Sequence, residues 1–459
     1  MKPARIRMYR QGLGDCFLLT FPGASRDVRV LVDCGVLLGT PDGEAKVRKV
    51  AADVAAETGD ELDVLVVTHE HWDHVSGFLQ AKEVFDRLRV REVWLAWTED
   101  PEDEAATVLA QRRARALRGV VAASARVAGG QSMAARRTAE RLDGLMAFFG
   151  GAAAAADRST AAAMRWARAR PGAKVRFLRP GEEPFGVPGT DAARVFVLGP
   201  PRDPKLIRKS DPSRRSSEVY GLAGEGAADL GFLAATGALD APASADPFDP
   251  WFRVTEKEAG QRPFFQEHYG FDGEDGWQRI EDDWLGAAGP LALQLDSDTN
   301  NTSLVLAFEL LPSGRVLLFP GDAQVGNWLS WEGLTWNLGG SGGAARTVTS
   351  HDLLARTVLY KVGHHGSHNA TLREKGLELM TSRELAAMLP VERTTADKRD
   401  WNMPFPSLFD RLVEKTKGRI IDRDRGMPTP PAGVADADWE AFATRTTVEE
   451  DWIEYRLDP

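Results

Sequence analysis

The chain has 459 residues, of which 43% are hydrophobic and 27% are charged, and its formal net charge is −10. This is an ordinary globular balance, and the acidic total argues against a uniformly basic protein that coats DNA. No stretch approaches the roughly 20 apolar residues that span a bilayer. The N-terminus also lacks the apolar core of a signal peptide. We therefore expect a cytoplasmic protein with no membrane association.

The first 100 residues alternate between predicted strands and helices. Apolar runs rich in β-branched residues are separated by Gly, Pro and Ser turns. The two cysteines, Cys16 and Cys34, lie in such runs and are expected to be buried, unpaired thiols. The run at 62–67 is continuous, as in a strand buried on both faces. The predicted elements are strands over 5–9, 16–21, 28–33, 62–67 and 92–96, and helices over 44–57 and 75–88.

The middle of the chain changes in composition. Residues 101–170 are rich in Ala and Arg and predict two or three inserted helices. Strand patterns return at 174–178 and 194–198. Residues 200–290 are rich in Gly, Pro, Asp and aromatic residues with little regular pattern, which suggests a lid or a substrate-shaping insertion.

Charge is unevenly distributed over the same region. Residues 105–217 contain 22 Lys and Arg against 8 Asp and Glu, whereas residues 218–290 contain 4 against 15. The two segments could attract each other as neighbouring lobes. Alternatively, the basic segment could present a positive surface to an anionic substrate. Both interpretations stay open at this point.

The second half repeats the alternation of strands and helices. Together with the first half it predicts two packed sheets with helices on both outer faces. The predicted elements are a hairpin of strands over 303–310 and 315–319, a strand over 357–362, a helix over 405–417 and a short strand over 419–422. We divide the chain into an N-terminal half of the fold (1–100), a helical insertion (101–170), core strands (171–200), an irregular aromatic and acidic insertion (201–299) and a C-terminal half (300–459).

A histidine-rich motif directly follows the predicted strand at 62–67. His69, His71, Asp73 and His74 form the pattern His-x-His-x-Asp-His. Such nitrogen and oxygen donors suit Zn²⁺ and, with more oxygen ligands, Mn²⁺ or Fe. On a locally extended chain the first two histidines point the same way and can share one ion, and the last two residues can reach a second. Three of the eight histidines fall within six positions, which argues against a chance cluster.

Asp322 follows another apolar strand. The sequence Leu317-Leu318-Phe319-Pro320-Gly321-Asp322 places one carboxylate at the carboxyl edge of a sheet. A carboxylate there can bridge two ions with one oxygen for each, although Gly-Asp after a strand is by itself usually a turn.

A third apolar strand runs into His364 and His365. One of them is expected to bind the second ion, and the other to contact the substrate or to protonate the leaving group. The His-Gly pattern favours His365 as the ligand and His364 as the substrate-facing partner. Ser367 and His368 are candidate supporting or phosphate-contacting residues, and loop capping is the alternative.

In this order the three motifs resemble the metallo-β-lactamase superfamily and, more narrowly, the soluble hydrolase domain of the ComEC-type competence (DNA-uptake) proteins. The narrower resemblance also rests on residues 12–15, 31–35, 197–200, 300–305, 404–412 and 419–426. It implies an α/β fold, namely an αββα four-layer sandwich, here with a helical and irregular insertion. It also implies two divalent metal ions, Zn²⁺ or Mn²⁺, at one edge of the sheets.

The resemblance also implies roles for individual residues. His69 and His71 would bind the first ion, Asp73, His74 and His365 the second, and Asp322 would lie between them. Asp73, His364 and His365 are the expected catalytic residues. Asp15, Asn301 and Ser303 would support the site or contact the substrate.

The chain departs from the family pattern at several points. Many superfamily members supply a third His to the first ion from a middle motif, but only His268 and His351 remain unassigned here, and His268 is expected on the surface. The competence-type domains also tend to lack that His, so a weaker first site is expected. Met403-Pro404 replaces the usual His-Pro, and Ser76-Gly77 replaces the usual double Gly. The membrane channel that normally carries the domain is absent, so a role as an uptake pore is not expected.

Three functions stay open. The favoured one is hydrolysis of a phosphodiester in nucleic acid or a nucleotide by a hydroxide that bridges two metal ions, with the basic residues 112–215 holding flanking phosphates. The second is hydrolysis of a small ester, lactone or phosphocholine-like substrate in an aromatic pocket. The third is a partner-binding subunit that uses the insertion as an interface. The aromatic pocket could be formed by Trp251, Trp277, Trp284, Trp328, Trp331 and Trp336, unless these pack a lid.

Overall fold

The computed structural model describes residues 2–128, 133–150, 158–210, 254, 256–269, 288–339, 346–427, 429–430 and 436–458. The chain divides into two compact units. The larger unit consists of residues 1–110, 147–225 and 296–459, and the smaller of residues 111–146 and 226–295. The five-part division expected from the sequence is finer than this one and stays a prediction. Trp251, Trp277 and Trp284 lie outside the described residues.

The strands and helices are numbered in chain order. The strands are β1 (Ala4–Tyr9), β2 (Phe17–Phe21), β3 (Val28–Val32), β4 (Glu61–Val67), β5 (Arg89–Ala96), β6 (Lys174–Leu178), β7 (Phe185–Gly186), β8 (Ala193–Gly199), β9 (Val305–Leu310), β10 (Val316–Phe319), β11 (Thr335–Leu338), β12 (Arg346–Thr349), β13 (Thr357–Lys361), β14 (Ala386–Leu389), β15 (Ile420–Asp422), β16 (Thr446–Val448) and β17 (Trp452–Leu457). The helices are α1 (Gly43–Thr58), α2 (Trp72–Val75), α3 (Gly77–Gln80), α4 (Lys82–Phe85), α5 (Glu104–Ala128), α6 (Met133–Met146), α7 (Thr160–Arg168), α8 (Pro204–Ile207), α9 (Glu256–Ala259), α10 (Pro263–Tyr269), α11 (Ala288–Asn300), α12 (Val325–Leu329), α13 (Ser350–Ala355), α14 (Arg393–Lys398), α15 (Pro406–Thr416) and α16 (Asp436–Thr444).

The larger unit contains two large sheets. In the described residues the first has the order β16-β17-β1-β2-β3-β4-β5-β6 and the second the order β15-β14-β13-β10-β9-β8-β7. Their facing sides share one core, in which the rings of Phe17 and Phe319 meet edge to face with centroids 5.6 Å apart. Helix α1 packs on the outer face of the first sheet, and helices α12, α13 and α15 pack on that of the second. The predicted αββα arrangement is therefore confirmed.

Most predicted strands are confirmed to within two residues, but the single helix predicted over 75–88 is wrong. The chain forms the short helices α2, α3 and α4 there. Tertiary contacts with the loop after β3 interrupt the helix: Ser76 Oγ accepts from the backbone N–H of Val36 at 2.9 Å, and the Gly77 N–H donates to the carbonyl of Cys34 at 2.9 Å. A side chain at Gly77 would lie 2.7 Å from that carbonyl oxygen. Helical propensity alone did not predict this close approach.

Three of the six tryptophans that could have walled a pocket belong to the hydrophobic core instead. Trp328, Trp331 and Trp336 are 1–3% exposed and pack on the outer face of the second sheet. The indole N–H of Trp328 donates to the carbonyl of Ala370, and that of Trp331 to Asn327 Oδ1, each at 3.0 Å. These partners satisfy the indole donors inside the fold, so this part of the predicted aromatic pocket is wrong.

Parallel strands determine where functional side chains meet. Strands β3, β4 and β5 run parallel in the first sheet, and β10, β13, β14 and β15 run parallel in the second. Segments that leave the carboxyl ends of parallel strands emerge at the same edge of a sheet, where α/β proteins commonly bind ligands. The three sequence motifs follow β4, β10 and β13. Within the described residues, no helix is long and apolar enough to cross a membrane.

A buried ion-pair network joins the first sheet to helix α1. The guanidinium of Arg7 contacts Asp53, Glu57 and Glu454 at 2.7, 3.2 and 3.0 Å, and the side chains of Arg7 and Glu454 are 6% and 3% exposed. Arg5 also lies 3.4 Å from Glu454. The network therefore compensates a carboxylate that has almost no access to water.

We expect Arg7→Ala to lower the free energy of unfolding by about 3 kcal/mol, because it leaves a buried carboxylate largely uncompensated. Arg89→Ala is the matched control, since Arg89 pairs with Glu61 at the surface with its side chain 80% exposed. That change should lower stability by less than about 1 kcal/mol. Urea unfolding of the two variants and the wild type measures both effects, and equal midpoints for all three would contradict the role of the network.

Candidate metal centre

The segment that follows β4 is anchored by Asp33 at the end of β3. The Asp33 carboxylate accepts from the Thr68 backbone N–H at 2.8 Å and from the Thr68 hydroxyl at 2.6 Å. It also lies 2.8 Å from His74 Nδ1. Asp33 and His74 are fully buried. One carboxylate therefore fixes both ends of the histidine motif.

Two glycine loops hold the backbone of Asp73 and His74. The Asp15 N–H donates to the Asp73 carbonyl, and the Cys34 N–H to the His74 carbonyl, each at 2.9 Å. A Cβ atom on Gly35 would lie 2.3 Å from the carbonyl carbon of Asp73, so only glycine permits this approach. The residues 12–15 and 31–35 therefore position the motif through its main chain.

Four buried side chains from all three motifs meet at one point. Asp73, His74, Asp322 and His365 each offer a donor atom within 4.8 Å of the others. His74 Nε2 lies 3.1 Å from Asp322 Oδ2 and 3.6 Å from Asp73 Oδ2, and His365 Nε2 lies 3.0 Å from Asp73 Oδ2. Donors about 2.0–2.2 Å from a tetrahedral Zn²⁺ are separated by similar distances. These four residues could therefore hold one metal ion.

His69 and His71 form a second, neighbouring group. His69 Nε2 and His71 Nδ1 lie 3.1 Å apart, and both residues are 1% exposed. The ring of His69 also lies beside that of His74, with centroids 4.2 Å apart. In the described part of the chain this pair does not gather a third His, Cys, Asp or Glu donor into a compact group. Among the described residues, no side chain therefore takes the place of the third histidine that many superfamily members have, and His268 lies exposed on α10.

Asp322 is anchored through one of its two oxygens. Oδ1 lies 3.0 Å from Lys361 Nζ and accepts from the His364 backbone N–H at 2.9 Å, while Oδ2 faces His74. The Asp322 N–H donates to Ser303 Oγ at 3.0 Å. The arrangement favours ligation through Oδ2 alone over the expected sharing of one oxygen with each ion.

Hydrogen bonds specify which nitrogen of three histidines carries the proton. The Thr68 hydroxyl donates its hydrogen to Asp33, so the Thr68 oxygen can only accept from His69 Nδ1, which lies 3.0 Å from it. His69 Nδ1 therefore carries the proton. His74 Nδ1 faces Asp33 at 2.8 Å, and His365 Nδ1 donates to the carbonyl of Pro390 at 2.7 Å. In each ring Nε2 is then the nitrogen left for a metal ion. Such acceptors behind ligand histidines are the usual means of orienting them.

The site favours neutral imidazoles and charged carboxylates for most of these groups. Burial lowers the pKa of His69 well below its usual value and that of His71 to about 3. Burial raises the pKa of Asp322, but Lys361 and His74 outweigh it and hold the pKa well below its usual value. For His74 the opposite holds, because Asp322, Asp73 and two further carboxylates outweigh burial and raise its pKa. An ion among these carboxylates would take the place of that proton.

His364 is oriented by a chain of polar side chains. Asn369 Oδ1 accepts from the Ser367 hydroxyl at 3.1 Å, so Ser367 Oγ is left to accept a hydrogen bond from His364 Nδ1, which lies 2.8 Å away. Gln324 Nε2 lies 3.3 Å from the same His364 nitrogen, and Gln324 Oε1 is buried without a hydrogen-bond partner among the described residues. If the amide is turned so that its two atoms change places, Oε1 accepts from the His364 Nδ1–H. Burial lowers the pKa of His364 to about 4. His364 is therefore a neutral ring whose Nε2 carries no proton.

The His364-His365 pair sits in an unusual backbone conformation. Both residues are left-handed, with φ of 41° and 53°, and Gly366 follows with φ of 78°. Non-glycine residues in this region are strained by about 1–3 kcal/mol each, and such strain clusters at functional sites. The turn directs the two rings differently: His365 joins the four-donor group, whereas His364 contacts Ser367 and the ring of Phe148.

The remaining predicted residues surround the centre. Asp15 contacts the buried Lys361 and lies 3.9 Å from His74 Nδ1. Asn301 links two loops: its Oδ1 accepts from the N–H of Gln324 at 3.2 Å, and its Nδ2 donates to the carbonyl of Ile207 at 2.9 Å. His368 is partly buried, with its ring 6.1 Å from that of Phe405, and belongs to neither compact donor group among the described residues.

Sequence reasoning missed two buried residues. Lys361 contacts Asp15 and Asp322, and its position at the end of β13, directly before the histidine motif, was an available signal. Asp296 on α11 lies 3.7 Å from His71, measured from Oδ1 to Nε2. Helix α11 itself was not predicted, and no spacing to a motif distinguishes Asp296 from the other acidic residues around it.

The donors present fit a divalent metal centre. Asp73 Oδ1 and His74 Nε2 are buried atoms without a hydrogen-bond partner among the described residues, and buried polar atoms are rarely left so. Imidazole and carboxylate donors are those that Zn²⁺ prefers. Asp73, His74, Asp322 and His365 would hold one ion, and His69 and His71 would contribute to another.

Comparison with known families agrees with this geometry. Residues 9–122 match the Metallo-beta-lactamase superfamily. The matched region contains β2 to β5 and the His-x-His-x-Asp-His motif. The superfamily consists mostly of hydrolases, so the match suggests a metal-dependent hydrolase. A comparison with curated proteins finds no match.

Metal binding should distinguish the two neighbouring histidines. We expect His365→Ala to lose the Zn²⁺ or Mn²⁺ ion held by the four grouped donors, because it removes one of those donors. His364→Ala should keep its metal content, since that ring lies outside the group. Elemental analysis after dialysis measures both, and equal loss in the two variants would argue against this assignment.

The close contact between Gly35 and the main chain of Asp73 can be tested in the same way. Gly35→Ala is expected to reduce metal content, because the new Cβ would push on the carbonyl of Asp73. Gly186→Ala is the control: Gly186 lies in the short strand β7, and a methyl group added there would meet nothing within 4 Å beyond its chain neighbours. Comparable metal content and thermal stability in both variants would contradict a role of the Gly35 contact.

Proposed function

We propose that the protein is a metal-dependent phosphodiesterase that acts on nucleic acid or a nucleotide, with Zn²⁺ or Mn²⁺ as its cofactor. The observation that carries this proposal is the convergence of Asp73, His74, Asp322 and His365 on one buried point. Divalent ions at such a centre supply Lewis-acid polarisation of a phosphoryl oxygen and a hydrolytic nucleophile at neutral pH. The narrower resemblance to ComEC-type hydrolase domains is part of the same proposal.

Within this proposal the chain's own residues have separate tasks. Lys361 and the His364 N–H hold Asp322 in place. Ser367 and Asn369 hold the His364 proton on Nδ1, which leaves Nε2 able to accept a proton or a hydrogen bond from the substrate or from water. His364 is thus better suited at the start of the reaction to accepting a proton than to protonating a leaving group. This refines the role expected for it from the sequence.

A polyanionic substrate is favoured by the charge of the chain. The excess of Lys and Arg over residues 105–217 would attract phosphates despite the acidic net charge. The alternative of a small ester in an aromatic pocket has lost part of its support, because Trp328, Trp331 and Trp336 are core residues. A partner-binding role through the insertion has no specific support among the described residues.

Protein loaded with Zn²⁺ or Mn²⁺ should hydrolyse bis-p-nitrophenyl phosphate and cleave single-stranded or duplex DNA. In the Asp73→Ala, His74→Ala double variant kcat should fall by roughly 100-fold or more, because changes at metal ligands and their partners weaken the centre by such factors. His351→Ala, a histidine exposed on α13, is the matched control and should keep full activity. Robust cleavage of esters or lactones with no effect on phosphodiesters would overturn the proposal.

A further inference from the structure

His71 differs from the other histidines of the metal centre. Its Nδ1 faces His69 Nε2 at 3.1 Å, so Nδ1 is the nitrogen that can share an ion with His69. A neutral imidazole that ligates through Nδ1 must carry its proton on Nε2. That Nε2 is buried and has no hydrogen-bond partner among the described residues. His71 would therefore bind metal at the expense of a buried, unsatisfied N–H unless an acceptor approaches it.

Asp296 is the side chain in position to be that acceptor. It lies on α11 and is 6% exposed, and its Oδ1 is 3.7 Å from His71 Nε2. Oδ2 accepts from the Asn300 amide at 3.1 Å, which fixes the carboxyl group from the other side. Oδ1 itself is buried without a hydrogen-bond partner in the described part of the chain. A donor and an acceptor that both lack partners thus face each other within the larger unit.

Apart from Asp296, the described residues around His71 Nε2 provide no hydrogen-bond acceptor for it. The rings of Phe148 and Phe149 flank it, with centroids 5.7 and 5.0 Å from that of His71. Aromatic rings exclude water from this side of the imidazole, so a bulk-water acceptor is disfavoured. In such an apolar environment an unsatisfied N–H is destabilising, because it has lost its hydrogen bond to water and gained none in return.

We propose that Asp296 accepts a hydrogen bond from His71 Nε2 and thereby positions His71 to bind a first divalent ion together with His69. A small movement of either side chain would shorten the 3.7 Å separation to hydrogen-bond length. Asp296 would then do for His71 what Asp33 does for His74 and the Pro390 carbonyl does for His365. A carboxylate behind a ligand histidine increases its basicity and fixes its orientation.

The first site has no third protein donor among the described residues. A site with only two imidazole ligands depends strongly on how well each ring is oriented. Burial and the carboxylates of Asp73 and Asp322 raise the pKa of Asp296 well above its usual value. A carboxyl group can accept a hydrogen bond in either protonation state, so the role does not depend on that charge. The inference rests on the metal centre of the proposed function but not on its substrate.

Metal affinity tests the inference without any substrate. Metal-free wild type, Asp296→Ala, Asp296→Asn and Asp298→Asn would each be titrated with Zn²⁺, and separately with Mn²⁺, against a chromophoric chelator. The wild type should bind two ions. Asp296→Ala should bind one of them about 10- to 100-fold more weakly and leave the other unchanged, since partners behind ligand histidines contribute about this much. Asp296→Asn keeps an acceptor oxygen and the shape of the side chain, and should lose less.

Asp298→Asn is the matched control, because it changes a partly buried aspartate two residues further along the same helix. It should bind both ions as the wild type does. Thermal unfolding of the metal-free proteins separates a folding defect from a site defect: selective loss of one ion at an unchanged midpoint supports positioning. If Asp296→Ala does not fold, Asp296→Leu, which keeps the volume of the side chain but has no acceptor oxygen, takes its place: weaker binding of one ion by the folded variant supports the role, and unchanged binding overturns it.

The inference is also overturned if the folded Asp296→Ala variant binds both ions as tightly as the wild type, or if the wild type itself binds fewer than two. Its failure is distinct from that of the proposed function. A protein that binds two ions through Asp296 but cleaves no phosphodiester would overturn only the substrate assignment.

Discussion

Each buried histidine of the candidate metal centre has one ring nitrogen that faces the other donors and one that points away from them. The nitrogen that points away needs a hydrogen-bond acceptor, because only then does the nitrogen that faces the donors stay unprotonated and free for an ion. His69 donates to Thr68, His74 faces Asp33, and His365 donates to the Pro390 carbonyl. Since the rings are cut off from water, a missing acceptor would either turn a ring or bury an unpaired N–H. The same requirement is the reason for proposing Asp296 as the hydrogen-bond acceptor of His71 Nε2. The acceptors come from segments that are distant in the chain, so the tautomers and the fold depend on each other.

The two-sheet architecture brings these segments together. Strands β4, β10 and β13 each end at the same edge. The segment after β4 carries His69, His71, Asp73 and His74, and the segments after β10 and β13 contribute Asp322 and His365. Those segments are held mainly through their main chain: Gly35 packs against Asp73, and the His364 N–H anchors Asp322. The left-handed His364 and His365 are kept in place by the same contacts. This backbone conformation directs the His365 ring towards the grouped donors and the His364 ring towards Ser367 and Asn369.

The buried carboxylates of the centre outnumber the lysine that pairs with them, which leaves an excess of negative charge. The carboxylates of Asp15, Asp73 and Asp322 are buried, and Lys361 is the buried ammonium that contacts two of them. Because Lys361 holds Oδ1 of Asp322, the opposite oxygen is directed at the histidines. A buried lysine thus serves as a permanent internal cation that orients a ligand, while the remaining negative charge favours divalent ions.

The sequence by itself determined most strands of the two large sheets, the order of the three motifs and the candidate donors in them, because apolar periodicity and the spacing of His and Asp are local properties of the chain. It did not determine the break of the 75–88 helix, the core position of Trp328, Trp331 and Trp336, or the approach of Asp296 to His71. Each of these depends on a contact between residues far apart in sequence, such as Gly77 against Cys34. Only the tertiary structure decided which nitrogen of each histidine faces the centre, since an imidazole's orientation is set by the acceptor packed behind it and not by its neighbours along the chain.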